Sequence, residues 1–158
     1  MPRRFIVNDP EKCTGCRICE MVCSAEKEGV FNPILSRIRT VELGVVLNTA
    51  VACRLCETPT CVKSCPRKAL TSEDKSGIIL VDESRCTGCG WCIEACEFGA
   101  LALHPERKVV FVCDLCNGNP RCVDLCPKDA LDLKTTEEVT QKMRGKVVRK
   151  LLEEDTHS

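Results

Sequence analysis

The sequence predicts an α+β protein in which short hairpins and short helices surround sites built from cysteine side chains. Sixteen of the 158 residues are cysteine, and they fall into four compact runs. Between the runs lie short apolar segments of strand length, and near the C-terminus a longer segment has helical periodicity. We therefore expect small elements whose arrangement depends on what the cysteines bind.

A conventional hydrophobic core would be marginal in this chain. The hydrophobic fraction is 44%, but this figure includes the sixteen cysteines, and the aromatic fraction is only 3%. The chain has one Trp, four Phe and no Tyr. A core so poor in large side chains needs covalent or metal cross-links to be stable. The cysteines can supply them.

The four cysteine runs repeat in the order A-B-A′-B′, which indicates an internal duplication. The first and third runs open with C-T-G-C, and the second and fourth share C-x-L-C followed by C-V-x-x-C-P. In chain order, the runs are Cys13, Cys16, Cys19 and Cys23; Cys53, Cys56, Cys61 and Cys65; Cys86, Cys89, Cys92 and Cys96; and Cys113, Cys116, Cys122 and Cys126. The C-x2-C-x2-C-x3-C spacing of the first and third runs is that of bacterial iron–sulfur proteins.

Three kinds of cross-link compete as the explanation for these cysteines. A disulfide framework is typical of a secreted chain, but no apolar signal segment lies between Arg4 and Cys13. Zinc sites usually combine two C-x2-C pairs separated by a longer gap. Three thiols followed by a fourth at x3 do not fit that pattern, so iron–sulfur clusters are the favoured interpretation.

The spacing of the runs also has a mechanical reason. Three thiolates within about seven residues can wrap one face of an iron–sulfur cube, whereas the fourth must come from a distant segment. We expect the fourth cysteine of each run to start a helical turn that points at a neighbouring cluster. Four sets of four ligands account for all sixteen cysteines, so we predict four [4Fe–4S] clusters.

Short elements are predicted around the first run. Residues 5–8 favour a strand, and residues 24–28 favour a helix that Gly29 terminates. Residues 30–52 contain apolar side chains in alternation on both sides of Gly44, which predicts a hairpin. This hairpin is expected to cover one flank of a cluster, with contact to a partner subunit as the alternative.

A second hairpin and a terminal helix complete the predicted elements. Residues 101–112 favour a hairpin whose turn lies near Pro105 and Glu106. Thr135 and Glu138 are the ends of a capping-box sequence. The apolar face of the helix that follows contains Val139, Met143, Val147, Val148, Leu151 and Leu152. We expect this face to pack on its own domain, with docking onto a partner or a second copy as the alternative.

Charge and the distribution of apolar residues exclude some classes of function. Lys and Arg together number 23, as do Asp and Glu, so the formal net charge is zero and a nucleic-acid partner is not expected. No segment approaches the length of a membrane span, and we expect a soluble, cytoplasmic protein. The two histidines, His104 and His157, belong to no catalytic or metal motif and are expected at the surface. The chain is therefore predicted to be non-catalytic.

The four runs, the Cys-Pro pair that closes the second and fourth, and the hairpin before the second resemble the iron–sulfur electron-transfer subunits of the DMSO-reductase type. The resemblance covers about residues 5–133 and implies two pseudo-symmetric modules, each like a bacterial ferredoxin. It implies a four-cluster domain at residues 1–134 and a terminal helix at 135–158. Within the domain, the implied parts are a central module at about 50–103, an outer module combining 5–30 with 104–134, and an inserted hairpin at 31–52.

The same resemblance implies how the sixteen ligands are shared. Each run gives three cysteines to one cluster and its fourth to another. The implied ligand sets are Cys13, Cys16, Cys19 with Cys126; Cys113, Cys116, Cys122 with Cys23; Cys53, Cys56, Cys61 with Cys96; and Cys86, Cys89, Cys92 with Cys65. The alternative pairs the first run with the second and the third with the fourth, which would produce two separable modules.

The family resemblance implies an electron-transfer subunit that carries electrons through its clusters to or from a large catalytic subunit. The favoured partner is a tungsten- or molybdenum-pterin oxidoreductase of the aldehyde oxidoreductase or formate dehydrogenase type, which a flavin- or NAD-linked subunit could accompany. A hydrogenase or carbon monoxide dehydrogenase is the alternative within this class. Outside it stand a free polyferredoxin shuttle and a regulatory cluster sensor, although the sensor would need an effector module. A subunit whose row of clusters is accessible at both ends could also stack head to tail into a filament.

Overall fold

The computed structural model describes residues 2–44 and 47–155, and it has the expected α+β composition. The strands are β1 (Arg4–Asn8), β2 (Arg39–Leu43), β3 (Leu47–Val51), β4 (Leu70–Ser72), β5 (Ile79–Val81), β6 (Leu101–Leu103), β7 (Val110–Val112) and β8 (Leu131–Thr135). The α-helices are α1 (Ile18–Glu28), α2 (Thr60–Lys63), α3 (Trp91–Glu94), α4 (Arg121–Asp124) and α5 (Thr136–Asp155). Two short 3₁₀ helices span Pro33–Leu35 and Leu115–Gly118.

Among the described residues, the strands form four separate two-stranded antiparallel sheets. Three of the sheets are hairpins, which pair β2 with β3, β4 with β5 and β6 with β7. The fourth pairs β1 with β8, so that Phe5 lies opposite Lys134. This pairing brings the first cysteine run, which follows β1, next to the fourth run, which precedes β8.

The two predicted hairpins and the first predicted helix are confirmed. β2 pairs with β3 along its whole length, and Gly44 follows β2 with a left-handed φ of 66°. The two residues after Gly44 lie outside the described part of the chain. The turn between β6 and β7 contains Pro105 and Glu106, as expected. After α1, Gly29 adopts a φ of 72° and its N–H donates to the carbonyl oxygen of Ala25.

The cysteines occupy fixed places relative to the short helices. The third cysteine of each run lies within a helix, as Cys19, Cys61, Cys92 and Cys122. The fourth follows that helix as Cys65, Cys96 and Cys126, or lies inside it as Cys23. The prediction that the fourth cysteine starts a helical turn is therefore wrong for the helix, although Cys65, Cys96 and Cys126 each open a single hydrogen-bonded turn. The x3 spacing needs about one turn of helix between the third and fourth sulfur, so the turn precedes the fourth.

The core mixes small and branched apolar side chains with cysteine. Ile38 and Leu55 are almost fully buried, with 1% and 2% of their surface exposed. Phe5 and Leu70 belong to the same cluster of buried side chains, as does Cys53. Because sulfur and hydrocarbon share one interior, whatever the cysteines bind would be part of the core.

Helix α5 begins with the predicted capping box. The N–H of Thr135 donates to Oε2 of Glu138 at 2.7 Å, and the N–H of Glu138 donates to Oγ1 of Thr135 at 3.2 Å. One turn later, Nζ of Lys142 donates to Oδ2 of Asp9 at 3.0 Å. These contacts fix the first turns of α5 beside the β1–β8 sheet.

The apolar face of α5 is not covered by its own domain, so the expected packing is wrong beyond the first turn. Val139 packs against the core. The exposed side chains of this face, each between 55% and 63% exposed, are Met143, Val147, Val148, Leu151 and Leu152. Helix α5 follows β8 directly, and Lys146 on it pairs with Asp9 and Glu11. No helix in the described residues, α5 included, is long and apolar enough to cross a membrane.

His104 is buried, so its predicted surface position is wrong. Only 5% of its surface is exposed. Its Nδ1 accepts the N–H groups of Glu106 and Arg107 at 3.3 and 3.2 Å, and its ring packs edge-on against Phe111. His104 thus closes the turn between β6 and β7. His157 lies outside the described residues.

Candidate iron–sulfur sites

Twelve of the sixteen cysteines line three cavities, four in each. Every cavity takes three cysteines from one run and one from another. The groups are Cys13, Cys16, Cys19 and Cys126; Cys53, Cys56, Cys61 and Cys96; and Cys86, Cys89, Cys92 and Cys65. In the described part of the chain, no group of three or more His, Cys, Asp or Glu side chains could hold a single metal ion.

The remaining cysteines, Cys23, Cys113, Cys116 and Cys122, also lie near one another. Helix α1, which carries Cys23, packs against α4, which carries Cys122. Burial is the largest cause of the raised pKa of Cys113, Cys116 and Cys122, and charge on Cys23 adds to the rise in each. Because such an interaction weakens with distance, these sulfurs are neighbours.

Each run bends sharply just before its second cysteine. The residue at that position has a left-handed φ in all four runs: Gly15 at 70°, Leu55 at 50°, Gly88 at 66° and Leu115 at 57°. At Gly88 the bend also brings the chain close to its neighbour, since a Cβ there would lie 2.3 Å from the carbonyl oxygen of Lys108. The bend curves the backbone around the cavity and explains the glycine of C-T-G-C.

A second recurring turn follows the fourth cysteine in three runs. The backbone N–H groups of Ala69, Ala100 and Ala130 donate to the Sγ atoms of Cys65, Cys96 and Cys126, at 3.3, 3.4 and 3.3 Å. The residue before each alanine has a φ between 47° and 61°, which turns the N–H back toward the sulfur. These alanines were not predicted as site residues, although an alanine four residues after the cysteine recurs three times in the sequence.

The first run uses donors from the inserted hairpin segment instead. The Sγ of Cys23 accepts the backbone N–H of Arg37 at 3.3 Å. The Sγ of Cys19 lies 3.6 Å from Oγ1 of Thr40 on β2. Thr40 and Ala50 both line the cavity that contains Cys19, so the hairpin covers one flank of that cavity. Sequence patterns had placed the hairpin there but had not singled out Thr40.

The buried thiols are poorly placed to ionise without a nearby cation. Burial raises the pKa of Cys19 and Cys53 to about 11 and that of Cys113 to about 12. A thiolate is nevertheless the species that binds iron, and the positive charge of iron favours it. Burial also acts to raise the pKa of Cys65, but backbone N–H groups led by that of Ala69 lower it below its ordinary value. Grouped thiols with N–H donors aimed at sulfur fit an iron–sulfur cluster.

A partly buried ionic cluster joins the first run to the fourth. Asp114, at the start of the fourth run, accepts hydrogen bonds from Nζ of Lys27 at 2.8 Å and from Nη1 of Arg37 at 3.2 Å. Burial acts to raise the pKa of Asp114, but the hydrogen bond from Lys27 leads the effects that hold it below its ordinary value. Glu28 pairs with Arg37 at 3.6 Å and with Arg107 at 3.0 Å. These pairs hold α1 against the loops on both sides of it.

Comparison with known proteins assigns the family. A family model described as a 4Fe–4S dicluster domain matches residues 44–136, more than half of the chain. The chain belongs to the 4Fe–4S dicluster domain family. A second family model, described as a 4Fe–4S binding domain, matches residues 5–31 of the same chain, which contain the first run. The cysteine-lined cavities therefore lie in domains known for binding [4Fe–4S] clusters.

Relatives of this chain are named for electron transport. It is 41% identical over 136 residues to the polyferredoxin-like subunit of aliphatic sulfonate oxidoreductase from Pyrococcus furiosus, covering 84% of this chain and 79% of the relative. It is 34% identical to the electron transfer subunit of thiosulfate reductase from Salmonella typhi, in an alignment that covers 84% of this chain and 76% of the relative. It is 35% identical to the electron transport protein HydN from Escherichia coli, with 81% and 86% covered. The chain is an iron–sulfur protein of electron transport.

Solved structures of other proteins have a similar fold. A chain in the active-site complex of benzoyl coenzyme A reductase with zinc superposes with a TM-score of 0.51 at 23% identity, covering 100% of this chain and 99% of that chain. In the complex with 1,5-dienoyl coenzyme A, the TM-score is 0.50 at 26% identity, and the superposition covers 85% of this chain and 76% of that chain. These likenesses concern the fold.

Proposed function

We propose that the chain binds four [4Fe–4S] clusters and conducts electrons between them as a non-catalytic subunit of an oxidoreductase complex. The observation that carries this proposal is that cysteines from different runs meet around shared cavities. When bound, such clusters supply one-electron carriers. The chain's own residues hold the clusters, exclude water from them and donate hydrogen bonds to their sulfurs.

The proposed ligand sets follow the nested exchange between runs. They are Cys13, Cys16, Cys19 and Cys126; Cys113, Cys116, Cys122 and Cys23; Cys53, Cys56, Cys61 and Cys96; and Cys86, Cys89, Cys92 and Cys65. Support comes from Cys126, which lines a cavity with Cys13, and from Cys65, which lines one with Cys86. The alternative pairing would place Cys126 with the third run and Cys65 with the first. We accordingly propose a central module at about 50–103 inside a pseudo-symmetric outer module of 5–30 and 104–134, within a domain of residues 1–134.

The exposure of the cysteines supports a row of four clusters with two accessible ends. Of the sixteen cysteines, Cys16 and Cys89 are the exposed ones, and they belong to the sites built on the first and third runs. Cys53 and Cys113 belong to the same cluster of buried side chains, which supports neighbouring sites for the second and fourth runs. An electron would enter near one exposed cysteine and leave near the other.

The proposed partner is a large catalytic oxidoreductase subunit, with a tungsten- or molybdenum-pterin enzyme favoured and a hydrogenase or carbon monoxide dehydrogenase as the alternative. Relatives of similar length are named as subunits of a sulfonate oxidoreductase and a thiosulfate reductase. The uncovered apolar face of α5 supports a subunit rather than a free polyferredoxin shuttle, since a shuttle would leave these side chains in water. A cytoplasmic location and a further flavin- or NAD-linked subunit belong to the same proposal.

Iron analysis of anaerobically purified protein tests the cluster count. We expect as many iron atoms per chain as there are cysteines, sixteen, together with the low-temperature EPR signals of interacting clusters after reduction. Iron far below this value, or zinc in its place, would contradict the proposal.

The ligand pairing is tested by combining cysteine substitutions. Under nested pairing, Cys16→Ala and Cys126→Ala damage the same cluster, so the double variant loses no more iron than either single variant. The matched double variant, Cys89→Ala with Cys126→Ala, damages two clusters, and its losses add. The reverse pattern would establish the pairing of the third run with the fourth.

Co-purification tests the subunit role. A stable complex with a large pterin-containing subunit is the expected result, whereas a chain that remains alone would favour the shuttle. Light scattering of the purified complex tests head-to-tail stacking, since a filament grows with concentration and a closed complex keeps one mass.

A further inference from the structure

The site of Cys13, Cys16, Cys19 and Cys126 has a contact that the other cysteine groups lack. Oγ1 of Thr40 lies 3.6 Å from Sγ of Cys19. In the part of the chain that the structure describes, the other hydrogen-bond donors to cysteine sulfur are backbone N–H groups. A side-chain hydroxyl is therefore particular to this site.

Iron binding decides the direction of this hydrogen bond. A cysteine bound to iron is a thiolate and has no S–H proton, so the Thr40 hydroxyl must be the donor. The hydroxyl thus stabilises negative charge on this sulfur.

Reduction of a cluster adds negative charge that its sulfurs share. A donor to a ligand sulfur therefore stabilises the reduced form more than the oxidised form, which raises the midpoint potential. A hydrogen bond of ordinary net strength changes such an equilibrium about tenfold. For a one-electron couple, a tenfold change corresponds to about 59 mV.

Thr40 is anchored to the cysteine run by a group on its other side. The backbone N–H of Thr40 donates to Oε1 of Glu20 at 2.6 Å, and Glu20 is only 3% exposed. Glu20 directly follows Cys19, so its carboxylate ties β2 to the residue whose sulfur the hydroxyl contacts. Opposite Thr40 on β3 lies Ala50, which is also buried. A hydroxyl on a strand held in this way has a fixed position relative to the sulfur of Cys19.

We propose that Thr40 is a positioning residue that raises the midpoint potential of the cluster bound by Cys13, Cys16, Cys19 and Cys126. The effect is relative to the same cluster without the hydroxyl, since the sites on the first and third runs both accept backbone N–H donors as well. The inserted hairpin sets the potential at one exposed end of the row, which deepens the proposed function and rests on it.

Anaerobic redox titration of the purified holoprotein, followed by low-temperature EPR, tests this role. Thr40→Val keeps the side-chain shape and removes the hydroxyl, whereas Thr40→Ser keeps the hydroxyl. The matched control is Thr49→Val on β3 of the same hairpin, whose hydroxyl donates to Oδ1 of Asn8 at 3.0 Å and not to sulfur. Cys16→Ala identifies the EPR component of this cluster, because it abolishes that component.

In Thr40→Val we expect the identified component alone to shift to lower potential, with its ratio of reduced to oxidised cluster falling about tenfold at a fixed potential. Thr40→Ser should restore the potential, and Thr49→Val should leave it unchanged. A shift of no component, or of all components together, would overturn the proposal while leaving the cluster count intact. Loss of iron in Thr40→Val would also overturn it, by assigning Thr40 to cluster retention. A deficit of iron in the wild-type chain would instead count against the proposed function.

Discussion

The cysteine-rich body, residues 4–135, and helix α5 are stabilised in opposite ways. The body contains two-stranded sheets and helices of one to three turns, none of which would be stable by itself. Helix α5 is 20 residues long and begins with a reciprocal cap, but it buries little of its apolar face. Contacts between remote segments hold the body together, whereas α5 depends on its own backbone hydrogen bonds, its cap and a few contacts such as that of Lys142 with Asp9.

This difference separates two roles within one short chain: the body would hold the clusters, and α5 offers an uncovered apolar surface. In the body, Cys53 and Cys113 are as buried as the apolar side chains around them, so a cluster would complete the core as well as carry electrons. In α5, the uncovered side chains contribute nothing to the core and remain available to another surface. Three experiments can break or sharpen this separation.

Removal of iron is expected to have the largest effect, and to have it on the body. Without the clusters, the four sheets lose the cross-links that connect them, and cooperative unfolding of the body is lost. Amide hydrogen exchange followed by mass spectrometry before and after chelation measures this. Protection should collapse in β1, β8 and α2 to α4, while the low protection of α5 changes little. An apoprotein that keeps the protection of β1 and β8 would contradict the separation.

Apolar truncation is expected to have an intermediate effect that depends on the region. Ile38→Ala removes a side chain that is 1% exposed, and it should lower the free energy of unfolding by about 2–5 kcal/mol. The matched variant Leu151→Ala removes a side chain that is 56% exposed, and its effect should stay within about 0.5 kcal/mol. Anaerobic denaturant unfolding of both holoproteins gives the comparison. Equal losses would mean that α5 is packed in solution.

Loss of the cap of α5 is expected to have the smallest effect, confined to the helix. Thr135→Ala removes one half of the reciprocal bond with Glu138 and should cost the helix about 1 kcal/mol, seen as faster amide exchange in its first turn. Thr140→Ala, which removes a hydroxyl bond to the carbonyl oxygen of Thr136, is the control. A change in the exchange of the body would show that the two regions are coupled.

The stabilisation of α5 by this cap depends on pH. The backbone N–H of Thr135 leads the effects that hold the pKa of Glu138 below its ordinary value of 4.5. Its contribution to helix stability is therefore fully present above pH 4.5 and is lost as the pH falls through the lower pKa of the folded state. Protection in the first turn of α5 should accordingly keep the full contribution of this carboxylate at neutral pH and lose it only as the pH falls below 4.5.

The predictable parts of this fold are those with a local signal. The alternation around Gly44, the helix stop at Gly29 and the pairing of Thr135 with Glu138 each depend on a few adjacent residues, and all three are present. His104 was misassigned because its burial depends on Phe111 and on the turn that it closes. Thr40 escaped notice because a threonine on a strand has no pattern of its own until the strand is placed against Cys19.

The sequence by itself determined the four cysteine runs and, through their spacing, the iron–sulfur chemistry that they favour. The bend before the second cysteine and the alanine turn after the fourth became visible only in the structure. Short loops have few conformations, so their spacing alone limits what they can wrap. Only the tertiary structure decided which runs meet, through the pairing of β1 with β8 and the packing of α2 against α3. It also decided that α5 stays uncovered. Contacts between remote segments depend on the burial of the whole chain, and no short stretch of residues encodes that burial.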